Sequence, residues 1–453
     1  MLSYPIIALP PLPGLISEFA ALFPLVKHLS SLHRDHQIVG ETALLCKLHV
    51  GLFPKLGFLT GLSRYLSCGS EFLDRASSRG LAGSTVWDVS WGSVFPCANG
   101  GLIDLVTLDV LSKPDIVMIG CCSQERGIKQ SKSERPWYTG KWIVEGLSRL
   151  KQEPLKGCKH FSRPQVLHVL HFTRKQVNVR GIRGWSRMME MRTFEVLRTI
   201  LIVLIAGFFS LVGAYGCAII LVNGLICRWV SKTCIARRPV GYLDNNEDHD
   251  AWMLRAIHAN STTWHLYTGD RGVVDWILNK TMIEIPATKF HSIAARLLKM
   301  GNANQLMAMA YVAAHKGWDG VFLLAIMVAD LILLWPSQGT QAARKWRKSE
   351  GIEVRSKSFA FTGRTIMIGA IQKLSGSKNT VWMNEILVPH PRREVWLSKL
   401  INDEEDNAPL NVDRANLTER DLKKVNLTAE LSRGAATCIS EHFRETNCFK
   451  LEV

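Results

Sequence analysis

Acidic residues are scarce in this chain of 453 residues, which holds 39 Asp and Glu against 55 Lys and Arg. The basic excess is concentrated in residues 124–198, with 17 basic and 6 acidic groups, and in residues 336–401, with 12 and 4. Each block adjoins an apolar segment, which is typical of contact with anionic lipid headgroups. Nucleic-acid binding is the alternative for a basic chain, but no aromatic-interleaved basic motif supports it. We therefore predict a lipid partner and no nucleic acid.

Paired cysteines and catalytic motifs are absent. The 11 cysteines include no CxxC pair and no repeated spacing, which excludes a disulfide framework and a zinc site. No GxSxG, HExxH, Walker loop or dinucleotide fingerprint occurs. The first residues, MLSYPIIALPPLPGL, lack the basic region of a cleaved signal peptide. We therefore predict no catalytic residue, no metal and no cofactor.

What the sequence does contain is a long uncharged run from Thr199 to Cys227, closed by Arg198 and Arg228. An apolar run longer than about 18 residues indicates a transmembrane helix, because a core helix is seldom apolar on every face. We therefore predict a first transmembrane helix over 199–227. The alternative is a buried helix of a globular domain.

A second apolar region covers 304–335, and its part 318–335 has Trp at both ends and Asp330 inside. This length is near the lower limit for a membrane span, and aromatic residues are common at both membrane interfaces. We predict a second transmembrane helix here, with a re-entrant or interfacial hairpin as the alternative. Because an ionisable group within a span avoids lipid, we also expect Asp330 to pair with Arg198.

The predicted fold is therefore a mainly α-helical membrane protein with small α/β extramembrane parts and a poorly ordered N-terminal region. Residues 344–348 after the second span are more basic than the residues before it, which predicts cytosolic N- and C-termini and an integral endomembrane or plasma-membrane location. Residues 229–317 would then face the lumen or exterior. The predicted domains are a poorly specified N-terminal region (1–123), a basic linker (124–198), the first span (199–227), a loop domain (228–303), the second apolar segment (304–335), a basic juxtamembrane α/β unit (336–401) and an acidic helical tail (402–453).

Small residues recur every four positions inside the first span, at Ala206, Ser210, Ala214 and Ala218. In one continuous helix they would form a ridge that another helix could approach closely, which indicates a helix–helix oligomer. The alternative is that small residues are common in membrane helices without such a contact.

An acidic patch, Asp244–Asp250, has two interpretations. Asp244, Asn246 and Asp248 match the first ligand positions of a calcium-binding EF-hand loop, but the sixth and twelfth positions hold His249 and Arg255. The interpretation that we favour is a helix cap, with a helix following over about 250–259.

Local patterns predict several further elements. Residues 262–268 and 352–361 have strand patterns, 101–111 and 116–122 have strand-like apolar content, and a turn at 269–272 precedes a short helix. Helices are predicted at 15–32, 291–300, 365–374, 380–387, 391–401 and in the tail around Leu422.

Five phrases between Arg237 and Trp396 resemble a group of uncharacterised integral membrane proteins of filamentous fungi: RRPVGYLDNNEDHDAWML, WHLYTGDRGVVDWILNKTM, AAHKGWDGVFLL, FTGRTIMIGAIQKL and VPHPRREVWL. The resemblance covers about residues 199–400. It implies a fungal, membrane-bound protein and carries no assigned reaction.

We therefore predict a partner- or lipid-binding membrane protein. The alternative is a membrane-bound enzyme that uses polar residues of the 244–272 loop, since such groups could perform acid–base chemistry if they converged. A concave pocket that collects His249, His265 and Asp270 would favour the enzyme. The full set of candidates is Asp248, His249, Asp250, His265, Asp270 and Arg271.

Overall fold

Seven strands form one mixed sheet with helices on both of its faces. The computed structural model describes residues 7–119, 164–175, 183–401 and 417–444, with short gaps of one to four residues inside these ranges. The strands are β1 (Thr85–Asp88), β2 (Val94–Pro96), β3 (Ile116–Ile119), β4 (Gln165–Arg174), β5 (Ala251–Ala256), β6 (Thr263–Gly269) and β7 (Ile352–Phe361).

Fourteen α-helices surround this sheet in the described ranges. The first seven are α1 (Gly14–Ser30), α2 (Asp35–Leu45), α3 (Phe58–Cys68), α4 (Ser70–Ser78), α5 (Gly100–Val110), α6 (Arg183–Val212) and α7 (Tyr215–Thr233). The remaining seven are α8 (Arg271–Leu278), α9 (Lys289–His315), α10 (Trp318–Leu334), α11 (Gly339–Glu350), α12 (Arg364–Ser375), α13 (Pro391–Ile401) and α14 (Glu419–Arg444).

The strand order is β2-β1-β5-β6-β4-β7-β3. Strand β4 pairs in parallel with β6 and antiparallel with β7, and β3 pairs in parallel with β7. The other neighbours are antiparallel. The strands predicted at 262–268 and 352–361 are confirmed as β6 and β7, because β-branched and aromatic residues fit a pleated, buried surface.

Each face of the sheet has its own hydrophobic core. One face packs against helices α2, α3, α5, α8 and α11, and the other against α12, α13 and α14. The second core contains Trp87, Trp264 and Trp382, which are among the largest fully buried side chains. A third and smaller cluster joins α6, α7, α9 and α10.

The predicted membrane fold is wrong. Among the described residues, the structure contains no helix with both the length and the apolar character needed to cross a bilayer. The run over 199–227 is divided between α6, which ends at Val212, and α7, which begins at Tyr215. The second predicted span, 318–335, is α10, a helix of 17 residues. The predicted integral membrane location is therefore a wrong prediction as well.

The predicted two-sided topology is also wrong. It placed β4 and β7 on the cytosolic side and β5 and β6 on the opposite side of a membrane. In the structure β4 lies between β6 and β7 and hydrogen-bonds to both. Strands of one sheet lie about 4.8 Å apart, so no bilayer can separate them.

The N-terminal region is not poorly ordered in the part that the structure describes. Residues 85–88 and 94–96 pair into the sheet, and helices α2 to α5 contribute to its core. Most of the predicted linker, residues 124–163, lies outside the described residues. Because the sheet takes strands from both halves of the chain, local sequence windows in either half show little of this packing.

Several local predictions fail because tertiary packing, which a short sequence window does not show, determines the element that forms. Residues 251–256 form β5 instead of the predicted helix over 250–259, and Gly100–Val110 is a helix instead of a strand. The predicted helix at 380–387 is reduced to a 3₁₀ turn, Val381–Met383. The helices predicted at 15–32, 365–374, 391–401 and in the tail are confirmed by α1, α12, α13 and α14.

Candidate functional site

The candidate site is an exposed apolar surface on the antiparallel pair α6 and α7. On α7 the exposed apolar residues recur every three or four positions from Tyr215 to Trp229, so they lie on one side of the helix. We call the exposed apolar side chains of both helices the hairpin face. Its members are Val196, Leu197, Ile200, Leu201, Val203, Leu204, Ile205, Phe208, Leu211, Tyr215, Ile219, Val222, Ile226 and Trp229.

A shallow groove joins the two halves of the hairpin face. It has a volume of about 250 Å³ and brings Val203 of α6 beside Val222 of α7. Both of these residues belong to the hairpin face. The exposed apolar surface therefore continues from one helix to the other instead of forming two separate stripes.

A glycine turn builds the hairpin. Gly213 has φ 83°, its N–H donates to the Ser210 carbonyl, and the Ala214 N–H donates to the Phe209 carbonyl. These two bonds and the positive φ define a Schellman motif, in which glycine is strongly favoured because it has no Cβ. The apolar run is therefore interrupted near its middle by an ordinary helix stop.

The start of α7 is held by a residue from another helix. The buried carboxylate of Asp319, at the beginning of α10, accepts hydrogen bonds from the backbone N–H groups of Cys217 at 3.1 Å and Gly216 at 3.4 Å. A carboxylate at a helix N-terminus satisfies free donors and interacts favourably with the helix dipole. Phe209 and Phe322 stack with ring centroids 4.8 Å apart and join α6 to α10.

Charged residues lie at both ends of this helical region. At the turn end, Lys316 pairs with Glu18 at 3.0 Å, and both side chains are exposed. At the other end lie Lys232 on α7 and Arg296 and Lys299 on α9, all of them exposed.

The relative position of these cations follows from the packing of α7 against α9. Gly216 lies against Val312, and Gly301 lies against Cys227. The two helices are therefore antiparallel, and the last turns of α7 lie level with the first half of α9. The cations of both helices consequently collect at the end that is opposite the turn.

The predicted small-residue ridge does not run along one helix. The stop at Gly213 places Ala206 and Ser210 on α6 and Ala218 on α7. Ala206, Ala214 and Ala218 are buried in the protein's own third cluster. Only the Ser210 side chain of this set is exposed. An oligomer through these four residues stays a prediction.

The candidate residues of the 244–272 loop lie in different environments and make different contacts. Asp270 caps α8 by accepting a hydrogen bond from the Val273 N–H at 3.0 Å. Arg271 is buried and bridges Asp88 at 3.1 Å and Glu247 at 2.6 Å. Asp248, His249 and Asp250 are exposed and lie before β5.

His265 lies in the middle of β6 and faces His168 on β4, with ring centroids 5.0 Å apart. A hydrogen bond of 2.7 Å joins His168 Nδ1 and Ser358 Oγ. Burial lowers the pKa of His168 to about 4. Burial, and then the nearby His168 and Arg255, also hold the pKa of His265 well below its ordinary value. Both rings are therefore neutral at pH 7 and are weak bases.

The structure does not bring His249, His265 and Asp270 into one pocket. His265 and Asp270 are separated by about 15 Å of extended strand, and His249 is exposed. The described residues include no group of three or more His, Cys, Asp or Glu side chains that could hold a metal ion. The geometry therefore gives the enzyme alternative no specific support.

Sequence reasoning missed two residues that shape the candidate site. Gly213 was hidden because hydropathy is averaged over a window, and a single glycine changes that average little. Asp319 was hidden because its partner, the first turn of α7, lies 102 positions away in the chain. The sequence GAYG was the available signal for a helix stop.

Comparison of the chain with protein-family models, with curated proteins and with solved structures found no match.

Proposed function

We propose that this protein binds the surface of an anionic lipid membrane by laying the hairpin face into one leaflet. The observation that carries the proposal is the continuous exposed apolar surface of α6 and α7, which has 14 large side chains. Contiguous exposed apolar patches of this kind mark protein or membrane interaction sites. The contact is made from one side and does not involve passage through the bilayer.

The apolar area is large enough to drive such binding. Fully burying one large aliphatic or aromatic side chain is worth roughly 1.5–3 kcal/mol. Leu204 and Trp229 are 65% and 73% exposed, so most of their transfer free energy remains to be gained on binding. At roughly 1 kcal/mol for partial burial of each of its 14 members, the hairpin face would gain about 14 kcal/mol, which is comparable to the roughly 4–15 kcal/mol lost on association.

The charged residues determine how the hairpin is oriented relative to the membrane plane. Lys316 and Glu18 at the turn end and Lys299 at the other end all require headgroup depth, because a charge in the hydrocarbon layer is costly. The hairpin therefore lies parallel to the membrane plane. Interfacial helices in this arrangement bury their apolar face by about 5–10 Å.

The charge also argues for lipid over a second copy of the chain. Lys232, Arg296 and Lys299 collect at one end of the hairpin, and each basic residue near an anionic surface contributes about 1 kcal/mol. Two copies that meet face to face with parallel α6 helices would bring these cations together. Trp229 lies beside them, at the position that Trp prefers in a membrane interface.

The test is co-sedimentation of the full chain with phosphatidylcholine vesicles that contain or lack phosphatidylglycerol. We expect the double variant Leu204→Glu with Phe208→Glu to bind at least tenfold more weakly than wild type. The matched control is Ile257→Glu, an exposed apolar residue between β5 and β6 that lies outside the hairpin face. Equal binding of the double variant and wild type would refute the proposal.

A second arm separates the charge contribution from the apolar contribution. Lys299→Gln with Arg296→Gln should weaken binding to anionic vesicles by about 30-fold, since two charges contribute about 1 kcal/mol each. The same variant should leave binding to neutral vesicles unchanged. Sedimentation equilibrium without lipid tests the competing occupant. A stable dimer that Leu204→Glu dissociates would assign the hairpin face to a second copy and would overturn the proposal.

A further inference from the structure

Helix α1 carries another exposed apolar surface, which lies outside the hairpin face. Its exposed large apolar side chains recur every three or four positions, so they lie on one side of the helix. The opposite side is buried against the protein and includes Ser17, Ala20, Ala21 and Pro24. We call the exposed set the α1 stripe. Its members are Leu15, Ile16, Phe19, Leu22, Phe23, Val26 and Leu29.

The α1 stripe is apolar over its whole length. At about 100° per residue, Glu18 lies beyond one edge of the stripe and Lys27 beyond the other. Leu15 is 84% exposed and Val26 is 61% exposed. Single exposed apolar residues are ordinary on a protein surface, whereas a contiguous apolar patch marks an interaction site.

Helix α1 runs beside α10 in the same direction. The Ser17 hydroxyl donates to the Lys316 carbonyl, just before the start of α10. Further along both chains, the helix backbones are so close that a Cβ on Gly320 would lie 2.6 Å from the Ala20 carbonyl carbon. Contacts that advance together along both helices indicate a parallel pair. Since Glu18 pairs with Lys316 at the turn end, α1 begins there and runs toward the opposite end.

Helix α10 lies between α1 and the hairpin. Gly320 of α10 faces α1, and Phe322 stacks on Phe209 of α6. At about 100° per residue, Phe322 lies roughly 200° around the helix from Gly320. Val328 and Ala325 lie between these two directions, at roughly 80° and 140°, and both are exposed. The exposed strip of α10 is therefore bordered by α1 on one side and by α6 on the other.

This strip adds apolar surface and no charge. The charged residues of α10 are Asp319 and Asp330, and both are buried. At the turn end, the Ile7 N–H donates to the Leu211 carbonyl at 3.3 Å. Ile7 is 44% exposed and Leu211 belongs to the hairpin face, so this contact extends the same surface. The exposed apolar surface therefore continues from the hairpin face across α10 to the α1 stripe.

We infer that the α1 stripe binds the same lipid leaflet as the hairpin face. The protein then attaches to the membrane through two segments of the chain, α1 and the α6–α7 hairpin, with α10 between them. This inference rests on the proposed function. Its main support is continuity, because a leaflet that receives α6 meets the exposed strip of α10 and the α1 stripe beside it.

The charges near the α1 stripe favour lipid over a second copy of the chain. Glu18 is paired with Lys316, and both lie at the turn end, which is placed at headgroup depth. Lys27 is exposed and lies toward the opposite end, where Lys232 and Lys299 are exposed as well. Cations that surround an apolar surface attract anionic headgroups. Two copies that met through parallel α1 helices would instead bring their Lys27 side chains together.

Co-sedimentation of the full chain with phosphatidylcholine vesicles tests the inference. We expect Leu15→Glu with Val26→Glu to bind at least tenfold more weakly than wild type, whether or not the vesicles contain phosphatidylglycerol. The matched control is Ile257→Glu with Val388→Glu, which adds the same two charges at residues that are 62% and 76% exposed and lie outside this surface. The control should bind to phosphatidylcholine vesicles within about twofold of wild type.

Photo-crosslinking of the wild-type chain gives a measurement that needs no variant. The probe is a phosphatidylcholine with a diazirine in its acyl chain, and the labelled peptides are identified by mass spectrometry. We expect adducts on peptides from α1 and from the α6–α7 hairpin. Adducts on the hairpin with none on α1 would overturn the inference and leave the proposed function intact.

The two pairs of variants separate this inference from the proposed function. If Leu204→Glu with Phe208→Glu weakens binding and Leu15→Glu with Val26→Glu binds like its control, the proposed function stands and the inference is overturned. If the pair on α1 alone weakens binding, the proposed function fails and the shared leaflet fails with it. A lipid-free dimer in sedimentation equilibrium that the pair on α1 dissociates would assign the α1 stripe to a second copy and would also overturn the inference.

Discussion

The sheet and the α6–α7 hairpin place similar apolar residues in opposite environments. The sheet buries its largest side chains, and Trp264 is 0% exposed between strands and helices. The hairpin leaves Trp229 73% exposed. Both regions are rich in large apolar residues, so composition alone does not distinguish a structural core from a binding surface.

The difference arises from the number of layers. The sheet has helices on both faces, which bury the side chains of two hydrophobic cores. The hairpin has neighbours on one side, where α9 and α10 pack against it, and the opposite side carries the hairpin face. No layer of the described chain covers the hairpin face. This apolar surface is therefore available to a binding partner.

The largest expected effect tests this comparison directly. Trp264→Ala should destabilise the protein by about 3–5 kcal/mol, because it leaves a cavity in a close-packed core. It also removes the hydrogen bonds of Trp264 Nε1 to Gln165 at 2.8 Å and to the Ser261 carbonyl at 3.0 Å. Urea unfolding followed by circular dichroism provides the measurement.

Trp229→Ala is the matched variant for this measurement. Because Trp229 is exposed, we expect a change within about 0.5 kcal/mol, as for surface substitutions in general. Its vesicle binding should nevertheless fall. If Trp229→Ala destabilised the protein as strongly as Trp264→Ala does, the two regions would not differ in the way proposed here.

The next effect concerns acid sensitivity of the sheet. His168 has a folded pKa of about 4 against an ordinary value of 6.5, so the unfolded chain binds more protons between these values. The stability contribution is complete above about pH 6.5 and is lost as the pH falls toward 4. Since one pKa unit corresponds to about 1.36 kcal/mol, the loss is on the order of 3 kcal/mol.

Urea midpoints measured at intervals from pH 7 to pH 4 test this expectation. His168→Gln removes the titrating group, so its profile should be flatter than that of wild type in this window. His265 faces His168 and titrates in the same direction, so some pH dependence should remain in the variant. Identical slopes for His168→Gln and wild type would contradict the assignment.

A smaller effect is expected where the hairpin turns. Asp319→Asn keeps the shape of the side chain but replaces the carboxylate that accepts from the N–H groups of Gly216 and Cys217. Losing the charge at this helix start should cost about 1–2 kcal/mol. Amide hydrogen exchange at Cys217 should become about tenfold faster, since 1.4 kcal/mol corresponds to a factor of ten.

Glu18→Gln is the control for this variant, because Glu18 is charged, lies at the same end of the hairpin and is exposed. Exposed ion pairs contribute about 0–1 kcal/mol, so exchange at Cys217 should stay near the wild-type rate. Faster exchange in both variants would mean that the effect is general and that Asp319 has no particular role at α7.

Much of the local structure could be predicted where one period persists. The strand at 352–361 and the helix at 391–401 match β7 and α13 at both ends, because alternation and an N-terminal proline are strong signals. The architecture could not be predicted in this way. Strand β4 pairs with β6 and β7 across wide gaps in sequence, and no local window contains those partners.

The candidate site was half predicted. Length and hydropathy identified 199–227 as the unusual stretch, and its apolar residues do form most of the hairpin face. The same criteria overlooked Gly213 and therefore predicted a single membrane span.

The smallest expected effect concerns Asp330 on α10 and Arg198 on α6. Asp330 is only 6% exposed, and Arg198 is half-buried. Phe209 of α6 and Phe322 of α10 stack near the turn. Both helices extend from this contact to the opposite end of the hairpin. Asp330 lies about two helical turns beyond Phe322 and Arg198 about three turns from Phe209, so a long arginine side chain could reach the carboxylate.

A double-mutant cycle with Arg198→Gln and Asp330→Asn tests this pairing. If the two charges interact, the effects of the single variants on the free energy of unfolding should be non-additive by at least about 0.5 kcal/mol. Arg198→Gln combined with Glu18→Gln is the control, and these two should add, because Glu18 lies at the turn end and pairs with Lys316. Strict additivity of Arg198→Gln and Asp330→Asn would remove the pairing. The burial of Asp330 would then require another partner on the helices that surround it.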